Sequence, residues 1–116
     1  MHLEGPWLHP QKKGAHNPRH LRMPDDKELK EILENGRDVI KLITIAPELF
    51  TPEQIRRIRE SGIVIAAGHS IASFSEASRF FEEGVEMVTH LYNAMSPFQS
   101  RSPGLVGATL YHPEAW

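Results

Sequence analysis

Cysteine is absent from all 116 residues, so disulfides and thiolate metal sites are excluded and His, Asp and Glu remain as the metal ligands. Aspartate is scarce too. Asp25, Asp26 and Asp38 are the whole set, two at a helix start and one ahead of a strand, which leaves no aspartate for acid–base work at the C-terminal end of a strand. No apolar run approaches the roughly 20 residues of a transmembrane helix, and the opening MHLEGPWLHP lacks the charged-then-apolar order of a signal peptide. A cytoplasmic protein with no membrane partner is the expectation. Charge of one sign is also missing: 13 Lys and Arg stand against 15 Asp and Glu, with no continuous basic stripe for a nucleic-acid backbone. No nucleic-acid partner is expected.

What is present is an ordinary globular composition, 40% hydrophobic and 24% charged, arranged in a βα rhythm. Residues 24–36 read as an amphipathic helix with Leu29, Ile32 and Leu33 on one face and Gly36 closing it. VIKLITIA (39–46) reads as a strand stopped by Pro47. Thr51-Pro52-Glu53-Gln54 supplies an N-cap, a first-turn proline and a capping-box glutamine for a helix over about 52–61, with Gly62 as its stop. The cycle repeats: strand 63–67, loop 68–70, and a helix over about 74–83 opened by Ser73 and Glu76 and closed by Gly84. A third strand follows over about 86–90. Strands alternating with helices imply parallel pairing and an α/β fold. Segments 6–21 and 96–108, rich in proline and glycine, read as long loops, the first placed to cover a site.

Three stretches carry chemistry: HLEGP at 2–6, AAGHS at 66–70 and THLYNAM at 89–95. Each puts one ligand type, Glu4, His69 or His90, at or just past a strand end, where an α/β barrel presents its chemistry. A lone strand-end histidine is usually bonded only to backbone. Two of them 21 residues apart, about one βα repeat, together with a carboxylate fixed by the Gly5-Pro6 turn, favour a shared metal with a position open to water or substrate. His2 points the same way as Glu4 and reads as a fourth ligand or a ligand's partner. His16 lies on the long loop, where a solvated side chain is the plain reading and a reach toward a substrate carbonyl the alternative. Asn93 and Ala94 offer polar groups to an anion and Arg101 a bidentate fork for phosphate, although a solvated loop arginine has the same appearance.

With those residues in view, the chain resembles the N-acetylglucosamine-6-phosphate deacetylase family of the amidohydrolase superfamily. The resemblance rests on HLEGPWLHPQKKGAH (2–16), IAPE (45–48), GHSIAS (68–73), THLYNAM (89–95) and RSPGLVGA (101–108). It implies a TIM (β/α)₈ barrel with a small accessory β domain, and hydrolysis of N-acetylglucosamine 6-phosphate to glucosamine 6-phosphate and acetate. It further implies Glu4, His69 and His90 as ligands of one divalent metal, most simply Zn, with Fe, Mn or Co also suited to the set. His16 would contact the substrate carbonyl, Asn93 and Ala94 the sugar phosphate, and Arg101 the phosphate. Tyr92 stands where phenylalanine is commoner.

A full barrel takes roughly 200 residues or more, so residues 1–116 are expected to be a central fragment of a metal-dependent barrel domain, about three to four βα units with parallel strands. By the same resemblance the catalytic aspartate would lie beyond Trp116, no catalytic base would fall within the fragment, and Glu48 would be the suspect base should the chain turn substrate over by itself. A homo-oligomer is expected. The competing readings are another amidohydrolase acting on a different N-acyl or cyclic amide substrate, and an inactive metal-binding truncated product.

Overall fold

The β-branched runs do pair, and in register. In the computed structural model, which describes residues 1–115, strands β1 (His2–Glu4), β2 (Leu42–Ile45), β3 (Val64–Ala67) and β4 (Met87–Val88) form one parallel sheet in the order β1-β2-β3-β4. Glu4 pairs with Thr44, Thr44 with Ala66, and Ala66 with Met87. Paired residues share a face. Ile43, Ile45, Ile65 and Ala67 therefore point to one side, where all are fully buried, and Thr44, Ala66 and Met87 to the other.

The apolar side is covered by helices α1 (Asp26–Gly36), α2 (Pro52–Glu60), α3 (Phe74–Glu83) and α4 (Gly104–Tyr111), each packed against the next in chain order. Their ends follow the caps encoded in the sequence. Thr51 and Ser73 accept from the Gln54 and Glu76 amides while those side chains bond back, and Gly84 ends α3 in the left-handed conformation. Asp25 caps α1 from the Lys27 and Glu28 amides. Ile55 and Ile58 from α2 and Ala77 and Phe80 from α3 fill the space above the sheet. Among the described residues, no helix is long and apolar enough to cross a membrane.

Four expectations need correction. The strand expected over 39–46 begins at Leu42, with Val39 exposed, and that expected over 86–90 shrinks to Met87–Val88. Gly36 is the last residue of α1 rather than its stop, and Arg37 is the cap. A Cβ at Gly36 would stand 2.4 Å from Ile40 Cδ1, so glycine serves close approach there. The segment 96–108 is not loop throughout, because Gly104–Tyr111 is helical. That helix is buried on nearly every side, so it shows no polar stripe, and a Cβ at Gly107 would meet Pro103 Cβ at 2.2 Å. Trp116, the last residue of the expected domain, lies outside the described residues.

Candidate metal centre

Glu4 closes β1, while His69 and His90 stand just beyond β3 and β4, all at the C-terminal edge of the sheet. Glu4 Oε1 lies 2.7 Å from His69 Nε2 and 3.4 Å from His90 Nε2, and the two Nε2 atoms are 3.0 Å apart. Their other ring nitrogens face carbonyls: His69 Nδ1 sits 2.6 Å from the Lys12 oxygen and His90 Nδ1 3.0 Å from the Asn93 oxygen. A carbonyl only accepts, so each Nδ1 carries the proton and each Nε2 presents its lone pair. Two lone pairs and a carboxylate oxygen thus converge on one point, a set of acceptors that repel one another unless a cation joins them. One oxygen and two imidazole nitrogens, with carbonyls holding the rings from behind, are a donor set that fits a divalent ion with an open position.

The carboxyl of Glu4 sits below the usual carboxylate range. Its partial burial works upward, and the His69, His16 and His90 imidazoles that surround Oε1 outweigh it, their attraction for the carboxylate standing where a bound cation's would. A carboxylate ionised through the neutral range is what a metal ligand requires.

The backbone around these three side chains is strained. His69 has φ 49°, His90 φ 40°, Tyr92 φ 74° and Ala94 φ 50°, and these are all of the positive-φ non-glycine residues among the described residues. Each left-handed side-chain-bearing residue costs about 1–3 kcal/mol, which the surrounding bonds must offset.

The 6–21 segment covers this edge, as expected, but it is anchored far more firmly than a surface loop. Trp7 and Leu8 are fully buried, a burial the proline-rich sequence gives no hint of. Trp7 meets Phe50 edge-on at 5.5 Å and donates through Nε1 to Glu28 (3.2 Å), which Arg22 also grips with two nitrogens. Pro10–Lys12 and Pro18–His20 form single 3₁₀ turns. The His9 N–H donates to the His69 oxygen (2.9 Å), and a Cβ on Gly14 (φ 54°) would stand 3.1 Å from His69 Cε1. The loop so held brings His16 Nε2 within 3.4 Å of Glu4 Oε1 and its ring edge-on to His69 at 4.8 Å. The plain reading of His16 as a solvated loop residue is thereby corrected.

His2 does not join this group. Its Nε2 bonds Thr44 Oγ1 (2.7 Å), which bonds Thr89 Oγ1 (2.6 Å). The two threonines meet across β3 because position 68 between them carries no side chain: a Cβ there would lie 2.7 Å from Thr44 Cγ2 and 3.2 Å from Thr89 Cβ. Among the described residues Asn93 meets the group through its backbone, its oxygen holding His90, and Ala94 follows it in the left-handed turn. Arg101 is exposed, in the turn pinched by the Gln99–Ser102 bridge, and its guanidinium makes no hydrogen bond or ion pair among the described residues. Glu48 is not free to act as a base: Ser70 Oγ donates to its Oε2 and the Ile71 N–H to its Oε1, both at 2.7 Å.

No family model matches the chain. It is 46% identical over 108 residues to N-acetylgalactosamine-6-phosphate deacetylase from Shewanella sp. (strain ANA-3), covering 93% of this chain and 27% of the relative. It is 40% identical over 110 residues to N-acetylglucosamine-6-phosphate deacetylase from Bos taurus, covering 92% and 27% respectively. Among solved structures it matches N-acetyl-D-glucosamine-6-phosphate deacetylase from Mycobacterium smegmatis with a TM-score of 0.92 and 36% identity over 98% of this chain and 30% of that one. A second structure of that enzyme is a complex with N-acetyl-D-glucosamine-6-phosphate. The Thermotoga maritima deacetylase matches with a TM-score of 0.87 and 41% identity over 98% of this chain and 30% of that one. The chain thus spans somewhat more than a quarter of the length of these deacetylases and shares their sequence and backbone over that part.

Proposed function

We propose that this chain is an arc of a (β/α)₈ barrel, the metal-binding part of an enzyme that hydrolyses N-acetylglucosamine 6-phosphate to glucosamine 6-phosphate and acetate. One observation carries the reading: the two Nε2 lone pairs and Glu4 Oε1 converge within hydrogen-bonding distance of one another. Glu4, His69 and His90 would hold one divalent ion, for which Zn suits the donors best and Fe, Mn or Co are also accepted. Such an ion polarises a carbonyl and makes bound water acidic when present.

The chain's own residues supply the rest. His16, on the anchored loop beside Glu4, donates a hydrogen bond to the acetamide oxygen and strengthens it as negative charge builds there. Asn93 and Ala94 contact the sugar phosphate, and Arg101 clasps the phosphate with its planar fork. Amide hydrolysis also needs a group to protonate the leaving amine. Asp25 is occupied in capping α1, Asp26 bonds Gln54 and Arg57, and Asp38 precedes β2 at the opposite strand end. This stretch alone should therefore turn over poorly, because acid–base catalysis contributes roughly 10²–10⁴-fold.

Metal analysis tests the core of the proposal. The chain should bind one divalent ion, the double variant His69→Ala with His90→Ala should bind none, and His2→Ala should keep it; unchanged stoichiometry in the double variant refutes the site. Because relatives of both epimeric names match the chain, the assay in a full-length context runs both N-acetylhexosamine 6-phosphates and their unphosphorylated forms. Arg101→Lys should weaken use of the phosphorylated sugars alone.

A further inference from the structure

The bonds that occupy Glu48 are one end of a longer path. Ser70 Oγ and the Ile71 N–H bind its two carboxylate oxygens immediately after His69, and Ser70 is fully buried. The Ser70 carbonyl in turn accepts from the Ser96 N–H (2.9 Å), in the isolated parallel bridge of Ser70 with Met95. Ser96 Oγ donates to the Ala72 oxygen (2.7 Å) and accepts from the Leu105 N–H (2.8 Å) in the first turn of α4. Gly104 (φ 60°) makes that last bond possible, since a Cβ there would stand 2.6 Å from Ser96 Oγ. Ser96 thereby closes the base of the 96–105 loop that carries Arg101.

We infer that Glu48 and Ser96 are positioning residues, forming one hydrogen-bonded tie across the loops after β2, β3 and β4 that sets His69 and the Arg101 loop in fixed relation. The physical case is that His69 holds a left-handed backbone that nothing local favours, whereas two charge-assisted or buried bonds on the next two residues can hold it. The 96–105 loop likewise has few internal bonds, the Gln99–Ser102 pair among them, and needs its base closed. The carboxylate is the natural choice at position 48, because it accepts from two donors at once, which neither an amide nor a hydroxyl does with both atoms. The metal arm of the test rests on the proposed ligand role of His69, while the tie itself does not.

The experiment uses the 116-residue chain, titrated with Co²⁺ and followed by its visible absorption, alongside amide hydrogen exchange of Ile71, Ser96 and Leu105, with Ile43 reporting global opening. Glu48→Ala should raise the Co²⁺ dissociation constant about 10–100-fold, the effect of losing a group that orients a ligand. It should also expose all three rim amides while Ile43 stays protected. Glu48→Gln should fall between that variant and the parent, and Ser96→Ala should unprotect Ile71 as well as Leu105. If Glu48→Ala frees only the Ile71 amide and shifts Co²⁺ binding by less than about twofold, Glu48 serves its own turn and the inference is wrong. If the parent binds no Co²⁺, the metal reading fails and exchange alone decides: spread from Ile71 to Leu105 upholds the tie, and confinement to Ile71 overturns it. If Glu48→Ala opens globally, Ser96→Ala decides by the same criterion.

Discussion

The helical layer and the C-terminal edge of the sheet are built by opposite rules. In α2 and α3 every local preference agrees with the structure: capping boxes at Thr51 and Ser73, proline at the first turn of α2, glycine in the left-handed position after α3, isoleucines fully buried. At the edge, local preference is overruled. Four side-chain-bearing residues take positive φ, three acceptors are pressed together, and the strand leading to His90 is only two residues long. The helical layer supplies the stability, and the edge spends part of it to hold its side chains where local preference would not.

Variants sharpen that contrast, beginning with the buried isoleucines. Ile43→Ala should destabilise the chain by about 2–5 kcal/mol, because a fully buried aliphatic side chain leaves a cavity the β2 neighbourhood cannot fill. Chemical denaturation checks it, and a loss comparable to that of a surface substitution would mean that packing between the sheet and the helical layer is not what carries the fold. Thr51→Ala should cost about 1 kcal/mol by removing the α2 cap and its reciprocal Gln54 bond. His90→Gly, which relieves a left-handed residue, should leave the metal-free chain at least as stable as the parent while abolishing metal binding; a clear loss of stability would show that the edge is not strained after all.

The smallest effect concerns pH. Glu28 is held below its ordinary range, most by the Arg22 guanidinium, against partial burial, with help from the Trp7 indole N–H. A carboxylate depressed in the folded state binds fewer protons there than in the unfolded chain. Its stabilising contribution is therefore complete above the ordinary carboxylate value and is lost as pH falls through the folded one, below about pH 5. Glu28→Gln should flatten that part of the stability–pH curve and should loosen the 6–21 loop more than the helices. An unchanged acid limb would place the loop's anchorage in Trp7 burial alone.

How far the sequence could be read follows the same division. Helix boundaries in α2 and α3 were legible because caps and stops are local, and Glu4, His69 and His90 were legible as candidates because each follows an apolar β run. α4 escaped because a helix buried on nearly every side has no polar stripe to announce it. Trp7 and Leu8 escaped because nothing in PWLHP distinguishes a buried loop from an exposed one. His16 could be placed beside Glu4 and His69 only by folding the loop, and the bonds of Glu48 and Ser96 join residues that sequence spacing leaves unrelated.

Gly68 shows a different kind of information. Thr44 and Thr89 touch over β3 only because the residue between them ends at its Cα, so the contact that links β2 to the approach of His90 is specified by a missing atom. Redundancy is therefore distributed unevenly along AAGHS. Ile71, exposed just downstream, can change identity freely at the level of its side chain, since it contributes its amide. Position 68 has an alphabet of one letter, and a methyl group there would be read not at β3 but on the strands to either side of it.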